Sequence, residues 1–166
     1  MQDLGTLAGG LGSSAAAIND SGEIVGASSN ADGVNLAVLW KKGKIRSLGV
    51  LGHMGKGAFS NAVAINNAGQ VAGNSSVDST NAEHFFLWTA ATGLQDLGAG
   101  VATAINSTGQ IAGYSDDPNN HFHAFLWAPA GGMQDLGTLG GTDSFAYAVN
   151  DKGQVVGGSD VELSMP

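Results

Sequence analysis

Tandem repetition, hydrophobic alternation with period two and a recurring N-x-x-G turn predict an all-β fold of tandem four-stranded antiparallel units of about 40–49 residues. The repetition announces itself early. MQDLGTL occupies residues 1–7 and returns at residues 133–139.

Four strings recur in fixed order. The first is DLG at residues 3–5, 96–98 and 135–137, altered to SLG at 47–49. The second is AIN at 17–19, 64–66 and 104–106, with AVN at 148–150. The third is G-E/Q-I/V-V/A-G at 22–26, 69–73, 109–113 and 153–157. The fourth ends in Leu-Trp: NLAVLW at 35–40, EHFFLW at 83–88 and FHAFLW at 122–127. Counted from DLG, the 166 residues form a single repeat domain with units at approximately 1–44, 45–93, 94–132 and 133–166, the last without its fourth strand.

The second and third strings are joined by Asn19 to Gly22, Asn66 to Gly69, Asn106 to Gly109 and Asn150 to Gly153. Asn at the first position of a type I turn bonds forward to the backbone, and Gly at the fourth adopts the positive φ of a G1 bulge. Ile18 is then expected to face Ile24, Ile65 Val71, Ile105 Ile111, and Val149 Val155. The other face of the second string is Ala-x-Ala (Ala15/Ala17, Ala62/Ala64, Ala102/Ala104, Ala146/Ala148), which predicts close approach of another sheet. Gly26, Gly73, Gly113 and Gly157 are expected opposite the residue between the alanines, leaving room for a large cross-strand neighbour. One small sheet buries too little apolar surface to offset its chain entropy, so units must pack on one another. A period near 40–45 with Trp40, Trp88 and Trp127 closing the units fits β-propeller blades; a β-sandwich is the alternative and a β-solenoid a third choice.

Composition narrows the function classes. Six Lys and Arg against fourteen Asp and Glu give a net charge of −8 with no basic patch, which argues against nucleic-acid binding. No stretch approaches eighteen apolar residues, so no helical membrane span is expected, and Met1-Gln2-Asp3-Leu4 shows no basic region typical of a signal peptide. The absence of cysteine excludes disulfides and thiolate chemistry.

HAFLW at His123–Trp127, DLGTLGG at Asp135–Gly141 and the AIN-x-x-GQ signature together resemble the HAF repeat, a family of extracellular bacterial repeats named for that tripeptide. The resemblance covers the whole chain. It implies export to the bacterial cell surface, sometimes within an autotransporter passenger or another large surface protein, and supplies no catalytic residue. Two positions depart from the pattern: Leu36-Ala37-Val38 stands where His-x-Phe is expected, and Ser47 replaces the Asp of DLG.

A four-stranded meander puts the N-x-x-G turns and the short links at 41–44, 89–93 and 128–132 on one rim and the longer, variable connections on the other. The loop-rich rim is the expected place for ligand binding. Its candidates are Asp32, Asp78, Asp116, Asp117, Asn119 and His121. Asp3, Asp96 and Asp135 recur with the repeat and are read as turn residues. His121-x-His123 near Asp116 and Asp117 has the donors for Zn²⁺, but His123 repeats His84, and the oxygen-rich 30–33 and 116–120 lack the spacing of an EF-hand loop. GHMGKG at 52–57 lacks the spacing of a phosphate-binding loop. The three tryptophans share one repeat position and are read as packing residues, not sugar platforms.

The expected function is therefore a noncatalytic exported repeat module, a scaffold or a binder of a glycan or protein, with no cofactor or metal. A propeller-type hydrolase or lyase using Asp116, Asp117, Asp143 and Glu162 is the alternative. The incomplete last unit predicts self-association through an unpaired sheet edge, or membership of a longer array.

Overall fold

The computed structural model describes residues 2–55, 57–77 and 82–162; Asp78 of the candidate rim and Lys56 of GHMGKG lie outside them. The described residues form fourteen strands and no helix. The first sheet holds β1 (Ser13–Ile18), β2 (Ile24–Ser29), β3 (Asn35–Lys41) and β4 (Lys44–Gly49). The second holds β5 (Ser60–Ile65), β6 (Val71–Ser76), β7 (Glu83–Thr89) and β8 (Gly93–Ala99). The third holds β9 (Val101–Ile105), β10 (Ile111–Asp116), β11 (Phe122–Ala128) and β12 (Gly132–Asp135), and the fourth pairs β13 (Gly140–Val149) with β14 (Val155–Val161). Every sheet is an antiparallel meander in chain order.

The sheets differ in phase from units counted at DLG. The DLG strand pairs with the Leu-Trp strand before it, so each four-stranded sheet runs from AIN to DLG. The short turn after Leu-Trp, with Gly43, Gly93 or Gly132 at positive φ, closes a hairpin and fixes that pairing.

The N-x-x-G hairpins behave as their chemistry dictates. In all four turns the Gly N–H donates to the Asn carbonyl, and Asn Oδ1 accepts two further backbone N–H groups, as Asn66 does from Ala68 and Gln70. The register follows, with Ile18 opposite Ile24, Ile65 opposite Val71, Ile105 opposite Ile111 and Val149 opposite Val155.

Two residues farther along, the register departs from simple alternation. A β-bulge places Gly26, Gly73, Gly113 and Gly157 opposite Ala15, Ala62, Ala102 and Ala146, not opposite the residue between the alanines. These glycines admit backbone, not a bulky neighbour. A Cβ on Gly26, Gly113 or Gly157 would lie within 2.0 Å of a carbonyl oxygen of the facing strand, and on Gly73 within 2.2 Å of Asn61 O and 2.4 Å of the Phe86 ring.

Close approach of the sheets occurs where the alanines predict it. Ala62, Ala102 and Ala146 are buried against the sheet that comes before them in the chain. Val25, Ala37 and Leu39 meet Val71, Phe86 and Trp88 between the first and second sheets; Phe85 and Leu87 meet Ile111 and Phe125 between the second and third, with the Phe85 and Phe125 rings 4.7 Å apart. The third interface is built on Ala112, Ala124 and Ala146, with Val149 and Val155 packed against them.

A polar ladder runs along the same stack. Asn19 Nδ2 donates to Asn66 O at 3.1 Å, Asn66 Nδ2 to Asn106 O at 2.9 Å and Asn106 Nδ2 to Asn150 O at 2.8 Å. Each Nδ2 also donates to the side chain four residues on: Glu23, Gln70, Gln110 or Gln154. One residue type thus closes its own hairpin and spans to the next sheet.

Candidate functional site at the loop-rich rim

The rim opposite the N-x-x-G turns carries the 30–33 and 117–120 turns and the ends of β7, β11 and β13. Its most regular feature is a His–Asp pair. His84 Nδ1 lies 2.8 Å from Asp96 Oδ1, and His123 Nδ1 lies 2.9 Å from Asp135 Oδ2. Each aspartate also caps its own DLG turn: Gly98 N–H donates to Asp96 and Gly137 N–H to Asp135, as Gly5 N–H does to Asp3. In the first sheet Ser47 Oγ accepts from Gly49 N–H, so the cap survives without the charge. Leu36 occupies the histidine position of that same sheet, so both departures from the repeat are the loss of one partnership.

The candidate acids and amides serve the backbone. Asp117 Oδ1 accepts the N–H of Asn119 at 2.7 Å and of His121 at 2.9 Å, while Asn120 N–H donates to Asp117 O and Asn120 takes a φ of 62°. This is the N-x-x-G turn rebuilt with Asp first and Asn in the glycine place. Residues 30–33 repeat it, with Asn30 Oδ1 accepting from Asp32 and Val34. Asp32 points to solvent within that turn, and Asp116 is exposed at the end of β10. Asp143 Oδ1 accepts from Phe122 N–H at 2.8 Å, and Glu162 lies beside Gly140.

Asp117 Oδ2 lies 3.8 Å from His121 Nδ1 and 4.0 Å from His123 Nε2. No group of three or more His, Asp or Glu side chains among the described residues has a geometry that could hold a metal ion. The site's electrostatics concern proton affinity. The hydrogen bond that His123 donates to the Asp135 carboxylate holds the imidazole above its ordinary range, assisted by the charges of Asp135, Asp117 and Asp143, and His123 in turn lowers Asp135. The backbone N–H of His121, with that of Asn119, lowers Asp117.

The signs fix a testable window. A raised histidine stabilises the fold at pH below its unfolded value, and that contribution disappears as pH rises through the folded value; a lowered aspartate contributes above its unfolded value until pH falls through the folded one. The pair therefore supports the third sheet most in mildly acidic solution. His123→Ala is expected to cost about 0.5 kcal/mol at pH 5 and less at pH 8, a small effect because the Asp135 side chain is 61% exposed. Chemical denaturation at the two pH values, with NMR titration of the imidazole, measures it.

Beside these groups lies a feature found once among the described residues. Tyr114, Phe122 and Phe145 form a triad with centroid separations of 5.0–5.5 Å. The second sheet has Asn74 at the Tyr114 position, and there the Asn side chain exchanges hydrogen bonds with the backbone of Ala102. Phe122 remains 41% exposed. The signal was in the sequence, in three aromatics at positions where sibling units carry none, but only the packing of the third and fourth sheets brings them together. No protein-family model matches this chain, and no curated protein is significantly similar to it.

Proposed function

We propose that the chain is a noncatalytic module of the HAF-repeat type, exported by a bacterium, whose sheets are propeller blades and whose loop-rich rim binds a glycan or a protein. The observation that carries this reading is how the repeated polar side chains are employed. Asn19, Asn66 and Asn106 tie neighbouring sheets, Asp3, Asp96 and Asp135 cap turns, and Asp117 and Asp143 accept backbone N–H groups. Side chains so engaged serve architecture and leave little freedom for proton transfer. Uniform stacking of four-stranded meanders through one ladder favours blades.

Binding centres on Phe122, a partly exposed ring held against Tyr114 and Phe145, which suits stacking against a sugar or an aromatic side chain. A glycan array probed with the intact chain is expected to give weak, selective signals that fall about fivefold in Phe122→Ala. A blank array leaves scaffolding as the module's role. Signals that survive Phe122→Ala unchanged move the binding surface elsewhere.

A further inference from the structure

Residues 2–5 repeat residues 134–137 letter for letter, yet among the described residues no strand pairs with them. In the later copy, β11 occupies that place, paired antiparallel with β12 and held by three further contacts. His123 Nδ1 meets Asp135 Oδ2 at 2.9 Å, Ala124 N–H donates to Ser144 Oγ at 2.9 Å, and Leu136 N–H donates to Ala124 O at 2.9 Å.

The same receiving groups stand ready near the start of the chain. Asp3 Oδ1 accepts from Gly5 N–H at 2.8 Å, as Asp135 does from Gly137 N–H. Gly5 has φ +76° against +68° for Gly137. Ser13 Oγ donates to Gly5 O at 3.0 Å, and Ser144 Oγ donates to Gly137 O at 2.6 Å. The difference is coverage: Ser144 is buried under β11, whereas Ser13, Gln2 and Asp3 are exposed. Open concavities flank the segment, one bordered by Gln2, Asp3, Leu4, Ser13 and Ala15, the other by Ile24, Trp40 and Gly43.

The geometry points to a strand-acceptor site at Gln2–Gly5 and Ser13 whose ligand is an extended His-x-Phe-Leu-Trp strand from a further module of the same repeat. The incoming histidine pairs with Asp3, the N–H of the residue after it donates to Ser13 Oγ, and its carbonyl accepts from Leu4 N–H. Main-chain pairing supplies affinity, and the histidine sets the register. This site is independent of whatever the rim binds.

A lysine-flanked peptide with the sequence of residues 121–128, titrated into the full chain, tests it. One peptide is expected to bind per chain and to slow amide exchange at Leu4 and Gly5. Alanine in place of the peptide histidine that matches His123, or Asp3→Ala in the protein, is each expected to weaken binding about fivefold, and the two together no further. Asp3→Asn, which keeps the cap on Gly5, separates loss of the ion pair from loss of the turn, and is expected to weaken binding as well. Absence of saturable binding, protection confined to Val155–Val161, or additive effects of the two alanine changes would overturn the assignment.

Discussion

Gly73→Ala is expected to destabilise the protein by about 3 kcal/mol, the largest effect of any single methyl group considered. The added carbon would lie 2.2 Å from Asn61 O, 2.4 Å from the Phe86 ring and 2.9 Å from Ala62 Cα. Phe86 is fully buried between two sheets and cannot swing away without opening the first interface. Nor can the bulged strand retreat, because Ala62 is packed against the preceding sheet. Gly22→Ala is the contrasting control: its φ is +73° but nothing lies within 4 Å, so only backbone strain of about 1–2 kcal/mol is expected. Urea denaturation of both variants gives the comparison. Equal losses would mean that the close approach at the bulge does not govern stability.

Asn66→Ala is the second large effect, about 3 kcal/mol, because one buried amide serves two sheets. Its removal strands the N–H groups of Ala68 and Gln70 and takes a donor from Gln70 Oε1 and Asn106 O. Asn150→Ala breaks the same turn bonds at an exposed position and is expected to cost about 1 kcal/mol. The two variants should differ in kind as well as size. Loss of the Asn66 rung weakens the tie between the second and third sheets, so its unfolding transition is expected to broaden, with amide exchange rising on both sides of that interface. A sharp transition with unchanged slope would show that apolar packing alone couples the sheets.

The repeat made the hairpins legible. Asn and Gly at fixed separation specify a turn through local hydrogen bonding and positive φ, and a local rule needs no knowledge of the rest of the chain. The cross-strand partners of Ile18, Ile65, Ile105 and Val149 followed for the same reason. The bulge two residues farther on was not legible, because Ala-x-Ala alternates as a regular strand does and the extra residue is forced by the sheet packed against it. The phase of the sheets was hidden similarly: DLG lies near the AIN strand that follows in sequence, yet hydrogen-bonds to the Leu-Trp strand before it.

At the rim, the oxygen-rich loops were found but their employment was not. Asp117 and Asn30 look like ligand donors in sequence, and in the structure both close turns. The paired absence of His at Leu36 and Asp at Ser47 was visible in the sequence. It acquires meaning only when β3 and β4 are seen in one sheet.

The sequence by itself determined the all-β class, the number of copies, the hairpins and their register, since each rests on interactions spanning fewer than ten residues or on the count of a recurring pattern. The tertiary structure decided which strands share a sheet, where the bulges fall, that one asparagine per copy joins the next, and that three unrepeated aromatics meet. The joins between sheets depend on contacts between residues 20–47 positions apart, such as Ala124 with Ser144 and Asn19 with Asn66, where the chain's local preferences are silent and only the packing of sheet on sheet selects an arrangement.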